Sequence, residues 1–97
     1  IMNKNYIKIC IDDTYISKDS ENQFSENLDN NIIVEFKNDN PKKNILEFLN
    51  NHKKQSKKSL VIVSNVINNK NYLFSIVPTF QEALDIIEIE EIERLIS

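Results

Sequence analysis

Hydrophobic and polar positions divide the chain into short strands and helices. A nearly continuous apolar run at residues 32–36 and a continuous one at 60–63 predict strands that are covered on both faces. Between them lies an amphipathic helix whose apolar face is formed by Ile45, Phe48, Leu49 and His52. Asn40 is placed to cap this helix and Pro41 to occupy its first position. The strand–helix–strand unit has the length of a crossover, so we expect its two strands to pair in parallel.

The N-terminal part predicts a hairpin followed by an undecided segment. Residues 6–11 alternate as a strand does, Asp12 and Asp13 form a plausible turn, and residues 14–16 read as a short return strand. The polar segment 17–31 contains Phe24 and Leu28 at i,i+4 spacing. This spacing permits one or two helical turns, and a loop is the equal alternative.

The C-terminal part predicts a turn at residues 68–71, a strand at 72–77 and a last helix. Thr79 and Glu82 have the spacing of a capping box at the start of that helix. The expected fold class is therefore α/β, with helices packed against a mixed β-sheet of about five strands. The chain reads as one domain over 1–97, with an N-terminal hairpin and loop at 2–29 and a core at 30–97.

The last helix carries two apolar stripes that point in different directions. The first consists of Phe80, Ala83, Leu84 and Ile87. The second consists of Ile89, Ile92, Leu95 and Ile96. One straight helix on one sheet cannot bury both stripes, so either the helix bends around the domain or the second stripe contacts a partner.

Composition excludes several classes of chemistry. The 97 residues contain no glycine and one cysteine. Gly-rich phosphate loops, dinucleotide fingerprints and nucleophile elbows all need glycine, and a cysteine-based zinc cluster needs more cysteines. Asparagine, present at fifteen positions, tolerates the left-handed backbone region and can replace glycine in turns.

Candidate catalytic and metal-binding groups are sparse. His52 is the only histidine, and it reads as a boundary residue of its helix; Cys10 reads as a small core filler. Glu90, Glu91 and Glu93 read as a solvated helix face rather than a cation site. We therefore expect no catalytic residues, no metal and no cofactor. No segment reads as a signal peptide or a membrane span, so we expect a cytoplasmic protein.

Charge is unevenly distributed along the chain. Residues 41–58 carry six lysines against one glutamate, and residues 79–97 carry six acids against one arginine. The lysines suit the C-terminal end of a helix, and they also permit contact with RNA or with an acidic protein surface. Nucleic-acid binding is disfavoured because the whole chain is acidic. The basic segment also lacks arginine, and no aromatic residues are interleaved with its lysines to stack on bases.

The order of motifs from residue 30 to residue 96 resembles the STAS domain, the module of anti-sigma-factor antagonists and of sulfate transporter tails. Residues 32–36, the following Lys37-Asn38-Asp39, the amphipathic helix with its lysine-rich exit and residues 60–63 carry this resemblance. Residues 73–84 resemble the closing strand and the "T-x-x-E-A-L" start of the last helix. Residues 77–94 are similar to short STAS-like proteins of Bacteroidetes-type bacteria whose genes often carry a ribonuclease Z label. The resemblance implies a first helix that is short or missing here.

The resemblance implies a site and also a departure from the family. Regulated STAS domains carry a phosphorylated serine or threonine, with a glycine beside it, at the start of the helix after the second core strand. Here that corner has no hydroxyl group, so the phospho-switch is expected to be absent. The expected partner-binding residues at this corner are Asp39, Asn40, Pro41, Lys42 and Lys43.

The resulting expectation is a non-catalytic, regulatory protein-interaction domain. Its partner would be an anti-sigma-factor-like protein or a second copy, with Ile89, Ile92, Leu95 and Ile96 as a helix interface. The alternative is an RNA-associated accessory protein that uses the basic helix Lys42 to Lys58 and is connected with tRNA processing. It would have no nuclease activity, because ribonuclease Z uses a histidine-rich dinuclear zinc site and one histidine cannot supply it.

Overall fold

Four short strands form one parallel sheet in the computed structural model, which describes residues 5–68 and 71–96. The elements in chain order are β1 (Tyr6–Ile11), α1 (Lys18–Ser25), β2 (Asn31–Phe36), α2 (Lys43–Gln55), β3 (Leu60–Val63), β4 (Ser75–Val77) and α3 (Phe80–Ile96). The strand order in the sheet is β1-β2-β3-β4, and each neighbouring pair is parallel. The α/β class is confirmed. The expected mixed sheet of about five strands is wrong for the described residues, which form four strands that all run the same way.

Helices cover both faces of the sheet. On one face, Ile32 and Val34 of β2 pack with Phe24 of α1 and Leu49 of α2; on the other face, Ile33 packs under α3. Both faces of β2 and β3 are therefore largely buried, with Glu35 and Val63 half-buried near the strand ends, and the apolar runs of these strands follow from that. The parallel pairing of β2 with β3 across α2 is confirmed.

The predicted N-terminal hairpin is wrong. Residues 14–16 form no strand, and β1 pairs in parallel with β2 along its whole length. The carboxylate of Asp12 accepts the backbone N–H of Thr14 at 2.8 Å, so the chain turns locally and does not continue as a return strand. The chain then enters α1, capped by Ser17, whose hydroxyl accepts the N–H of Ser20. The short helix, rather than the loop, is the alternative that forms.

Helix α2 begins two residues later than the sequence predicts. Its N-cap position is Lys42, which makes no side-chain capping bond, and Asn40 is not the cap. The reason is that the N–H groups of Asn40 and Lys42 both bond to Asp13, which holds this segment as a loop. The predicted apolar face is confirmed: Ile45, Leu49 and His52 are buried and Phe48 is half-buried.

Strand β4 is shorter than the predicted strand at 72–77, since only Ser75–Val77 pair with β3. Phe74 nevertheless reaches the core that α1 and α2 cover. The predicted turn at 68–71 lies partly outside the described residues. The predicted cap is confirmed in part: the Thr79 hydroxyl accepts the N–H of Glu82, and the Glu82 carboxylate accepts from that hydroxyl.

Helix α3 is continuous from Phe80 to Ile96 and buries only its first stripe. Ala83 and Ile87 are fully buried against the sheet, with Phe80 and Leu84 at their margin. The second stripe stays exposed, at 52% for Ile89, 52% for Ile92, 83% for Leu95 and 81% for Ile96. Of the two alternatives expected from the sequence, the first does not occur: the helix does not bend around the domain to bury this stripe.

Candidate functional site

The loops that follow β1, β2 and β3 meet at the carboxyl ends of the strands. Asp13 joins the loop after β1 to the loop between β2 and α2. Its side chain is only 5% exposed and accepts the N–H of Asn38 at 2.9 Å and that of Asn40 at 2.6 Å. Its backbone carbonyl accepts the N–H of Lys42 at 2.8 Å. A buried carboxylate needs such donors, because an unpaired charge is expensive to remove from water. The loop before α2 is thereby fixed to the end of β1.

Asp39 joins the same loop to the segment that follows β3. Its carboxylate accepts the hydroxyl of Ser64 at 2.5 Å and the N–H of Asn65 at 2.8 Å. Asp39 has φ 49°, the left-handed region, and it is the one positive-φ residue among those described. Aspartate tolerates this region because its short side chain bonds locally. The position that needs glycine-like freedom thus lies within the predicted partner-binding corner.

The corner presents some of its predicted residues to solvent and holds others inward. Asn40, Lys42 and Lys43 are exposed, Pro41 is half-buried, and Asp39 is turned toward β3. Beside the corner lies an open cleft of about 560 Å³, lined in part by Cys10, Glu35, Lys37 and Asn65. Cys10 is exposed on the edge strand, so its interpretation as a core filler is wrong.

The lysines of residues 42–58 form two groups rather than one patch. Lys42 and Lys43 lie at the N-terminal end of α2, whereas Lys53, Lys54, Lys57 and Lys58 lie at and beyond its C-terminal end. A 13-residue helix is about 20 Å long, so the groups lie at opposite ends of the molecule's sheet. Lys58 lies 4.0 Å from Glu91, and Lys53 donates to the carbonyl of Ser56.

A polar cluster at the amino ends of the strands holds the second half of α3. The guanidinium of Arg94 donates to Asn31 and to Ser59, each at 3.2 Å, and pairs with Glu91 at 3.1 Å. Ser59 in turn donates to Glu90. Asn31 and Ser59 are buried at the starts of β2 and β3. Because these inward positions of α3 are polar, its apolar second stripe faces away from the sheet.

Hydrogen bonding in this cluster favours the ionised form of Glu91. The side-chain amide of Asn31 donates to its carboxylate at 2.6 Å, and Arg94 adds a second bond. Together they hold the pKa of Glu91 below its ordinary value. Glu90 and Glu91 are therefore structural partners here, which differs from the solvated face expected from their sequence.

The outward face of α3 consists of an isoleucine seam with acidic edges. Ile89, Ile92 and Ile96 follow i, i+3, i+7 spacing, which keeps them on one line over two turns. The exposed acids on the outward side of the helix are Glu82, Asp85, Glu88 and Glu93. The only basic residue of α3, Arg94, points toward the sheet. The seam thus has exposed acids at Asp85 and Glu88, while near its C-terminal end Lys53 of α2 lines an open cleft with Glu93 and Ile96.

His52 lies in a groove between α1 and α2. It is 6% exposed, its ring lies 5.2 Å from that of Phe24 (centroid to centroid), and Phe48 completes the aromatic cluster. Burial, together with the neighbouring charge of Lys53, lowers the pKa of His52. The imidazole is therefore a packing group of the α1–α2 contact, and it is more deeply buried than its interpretation as a boundary residue predicts.

Within residues 5–68 and 71–96, no group of three or more His, Cys, Asp or Glu side chains could hold a metal ion. No helix in that part of the chain is long and apolar enough to cross a membrane. Comparison of the chain with protein families, with curated proteins and with solved structures finds no match. The STAS resemblance accordingly stays an interpretation of the sequence.

Sequence reasoning missed the residues that organise both ends of the sheet. Asp13 was assigned to a hairpin turn, and Ser64 and Asn31 were not singled out. A signal for Asp13 and Ser64 exists: Asp13 lies two residues after the end of β1 and Ser64 directly after β3, where parallel strands place their loops side by side. Arg94 carried no such signal, because a single basic residue in an acidic helix does not reveal its partners.

Proposed function

We propose that the chain is a non-catalytic protein-interaction domain of STAS type that works in the cytoplasm and binds its partner through the corner at residues 39–43 and the outward face of α3. The observation that carries the proposal is the outward face. Four large apolar side chains of one helix are more than half exposed, and such patches mark interaction surfaces in soluble domains. The rigid corner adds a second exposed surface with defined geometry.

The corner supports constitutive rather than phosphorylation-controlled binding. Residues 39–42 carry no hydroxyl group, and the side chain of Asp39 is already engaged by Ser64 and Asn65. The carboxylates of Asp13 and Asp39 hold the loop in one shape without a ligand. A partner would therefore meet a preorganised surface, which lowers the ordering cost of binding.

Affinity capture with matched variants tests the proposal. The tagged full chain is used as bait in a lysate of its source cells, beside Ile92→Ser, Lys42→Glu and the control Leu73→Ser, which alters an exposed apolar residue outside both surfaces. We expect mass spectrometry to find a partner that the wild type and Leu73→Ser retain and that at least one surface variant loses. Equal capture by all four baits, or no partner and no self-association, would refute the proposal.

The RNA-associated alternative depends on the lysines of residues 42–58. Because these lysines are divided into two groups at the ends of α2, they form no continuous basic surface along which the phosphate backbone of an RNA could lie. Titration of labelled RNA at two salt concentrations separates this alternative from the first. Salt-sensitive binding at micromolar protein that is lost in Lys54→Glu would favour it, and we expect none.

A further inference from the structure

We infer that the outward face of α3 receives a basic amphipathic helix of another protein. This inference rests on the proposed function and names the chemistry of the partner. The seam Ile89, Ile92 and Ile96 spans eight residues, a rise of about 10 Å, which is the length that two turns of a facing helix cover. Apolar residues at i, i+3 and i+7 are the anchors by which an amphipathic helix is recognised.

The charge at the edges of the seam selects the sign of the partner. Asp85 and Glu88 are exposed one turn before Ile89 and Ile92, and the outward side of α3 itself carries no lysine or arginine. Lys53 of α2 lies only at the C-terminal end of the seam, in an open cleft that it shares with Ile96. Residues that flank an apolar seam decide partner choice through complementary charge. A helix with lysines or arginines beside its apolar stripe therefore fits, and an acidic one is repelled.

A second copy of this chain fits the face less well. Pairing two α3 helices would bring acidic edges together, and like charges across an interface oppose association. The lysine-bearing surface of α2 offers no apolar stripe, because its exposed residues are Lys43, Asn44, Glu47, Asn51, Lys54 and Gln55. The occupant is thus a helix of different sequence.

A charge-exchange experiment tests the inference. Two synthetic 18-residue amphipathic peptides carry the same leucine seam, one flanked by lysines and the other by glutamates. Their binding to the full chain is measured by isothermal titration calorimetry at low and at high salt. Four proteins are compared: the wild type, Ile92→Ser, the double variant Asp85→Lys with Glu88→Lys, and the control Leu73→Ser.

We expect the wild type and Leu73→Ser to bind the lysine peptide alone, with affinity that falls as salt rises. Ile92→Ser should weaken binding at least about tenfold, and the double variant should prefer the glutamate peptide. All three variants change exposed side chains, so circular dichroism should show each one folded.

Several results would overturn the inference. Equal affinity for both peptides, no detectable binding of either peptide, or a wild-type preference for the glutamate peptide would each do so. A dimer of the wild type that Ile92→Ser dissociates would assign the face to a second copy. If affinity capture still finds a partner that depends on Ile92, the proposed function stands while the basic helix is excluded. If that capture also fails, the interaction function is lost with it.

Discussion

Asp13 Oδ2 lies 2.6 Å from the backbone nitrogen of Asn40, a contact between residues 27 positions apart. The second oxygen of this carboxylate accepts the N–H of Asn38. One buried side chain at the end of β1 therefore fixes the loop that precedes α2. The shape of the proposed partner-binding corner depends on a residue outside it.

Replacing Asp13 should destabilise the fold and loosen the corner. Asp13→Ala removes the acceptor of two part-buried N–H groups, those of Asn38 and Asn40, so we expect a loss of about 1–3 kcal/mol in the free energy of unfolding, measured by urea denaturation. Asp13→Asn should lose less, because one oxygen remains. Asp12→Ala is the matched control and should lose less than either. Equal losses for Asp12→Ala and Asp13→Ala would contradict this role.

Asp39 allows the backbone contribution to be separated from the side-chain contribution. Asp39→Gly and Asp39→Ala both remove the bonds to Ser64 and Asn65, and they differ in the Cβ atom. Because φ at this position is 49°, alanine should be less stable than glycine by about 1 kcal/mol. The free energies of unfolding of the two variants give this difference directly. A more stable alanine variant would show that the left-handed geometry is not required.

Arg94 should stabilise the second half of α3. Arg94→Ala removes its bonds to Asn31, Ser59 and Glu91, so we expect a loss of about 1–2 kcal/mol and faster amide hydrogen exchange after Glu88. Leu95→Ala, at a neighbouring and largely exposed position, should leave exchange in this segment nearly unchanged. If amide exchange became faster in Leu95→Ala and not in Arg94→Ala, the outward side chains rather than Arg94 would stabilise this part of the helix.

His52 should make stability fall in mild acid. Its pKa in the folded protein is below the ordinary value of about 6.5, so the unfolded chain binds the proton more tightly. The contribution of neutral His52 is complete above pH 6.5 and declines as pH falls below that value. Thermal unfolding of wild type and His52→Phe between pH 7.5 and 5.0 should show a steeper decline for the wild type. Parallel declines would mean that His52 does not contribute.

The sequence predicted the elements that depend on local signals. The apolar runs of β2 and β3, the apolar face of α2 and the Thr79–Glu82 cap follow from spacing within a few residues, and all of them form. The hairpin was wrong because Asp12 and Asp13 read as a generic turn. In the structure Asp13 serves a loop 25 to 27 residues away, which no local pattern reveals.

The candidate site was predictable in outline only. Residues 40–43 were singled out and do form an exposed loop beside the strand ends, but Asn40 was expected to cap a helix that begins at Lys43. The spacing reveals the second apolar stripe of α3, but it leaves open whether the domain buries that stripe. What turns it outward could not be recognised, since this depends on Arg94 meeting Asn31 and Ser59 across more than thirty residues.

Site-specific photo-crosslinking tests the central claim most directly. A benzophenone amino acid is placed at position 92 on α3, at position 42 on the corner and at the exposed control position 47 on α2, and the full chain is irradiated in a lysate of its source cells. The account predicts a discrete adduct with one protein from position 92, from position 42 or from both, and none from position 47. Absence of any adduct at positions 92 and 42, or the same adducts from all three positions, would contradict it.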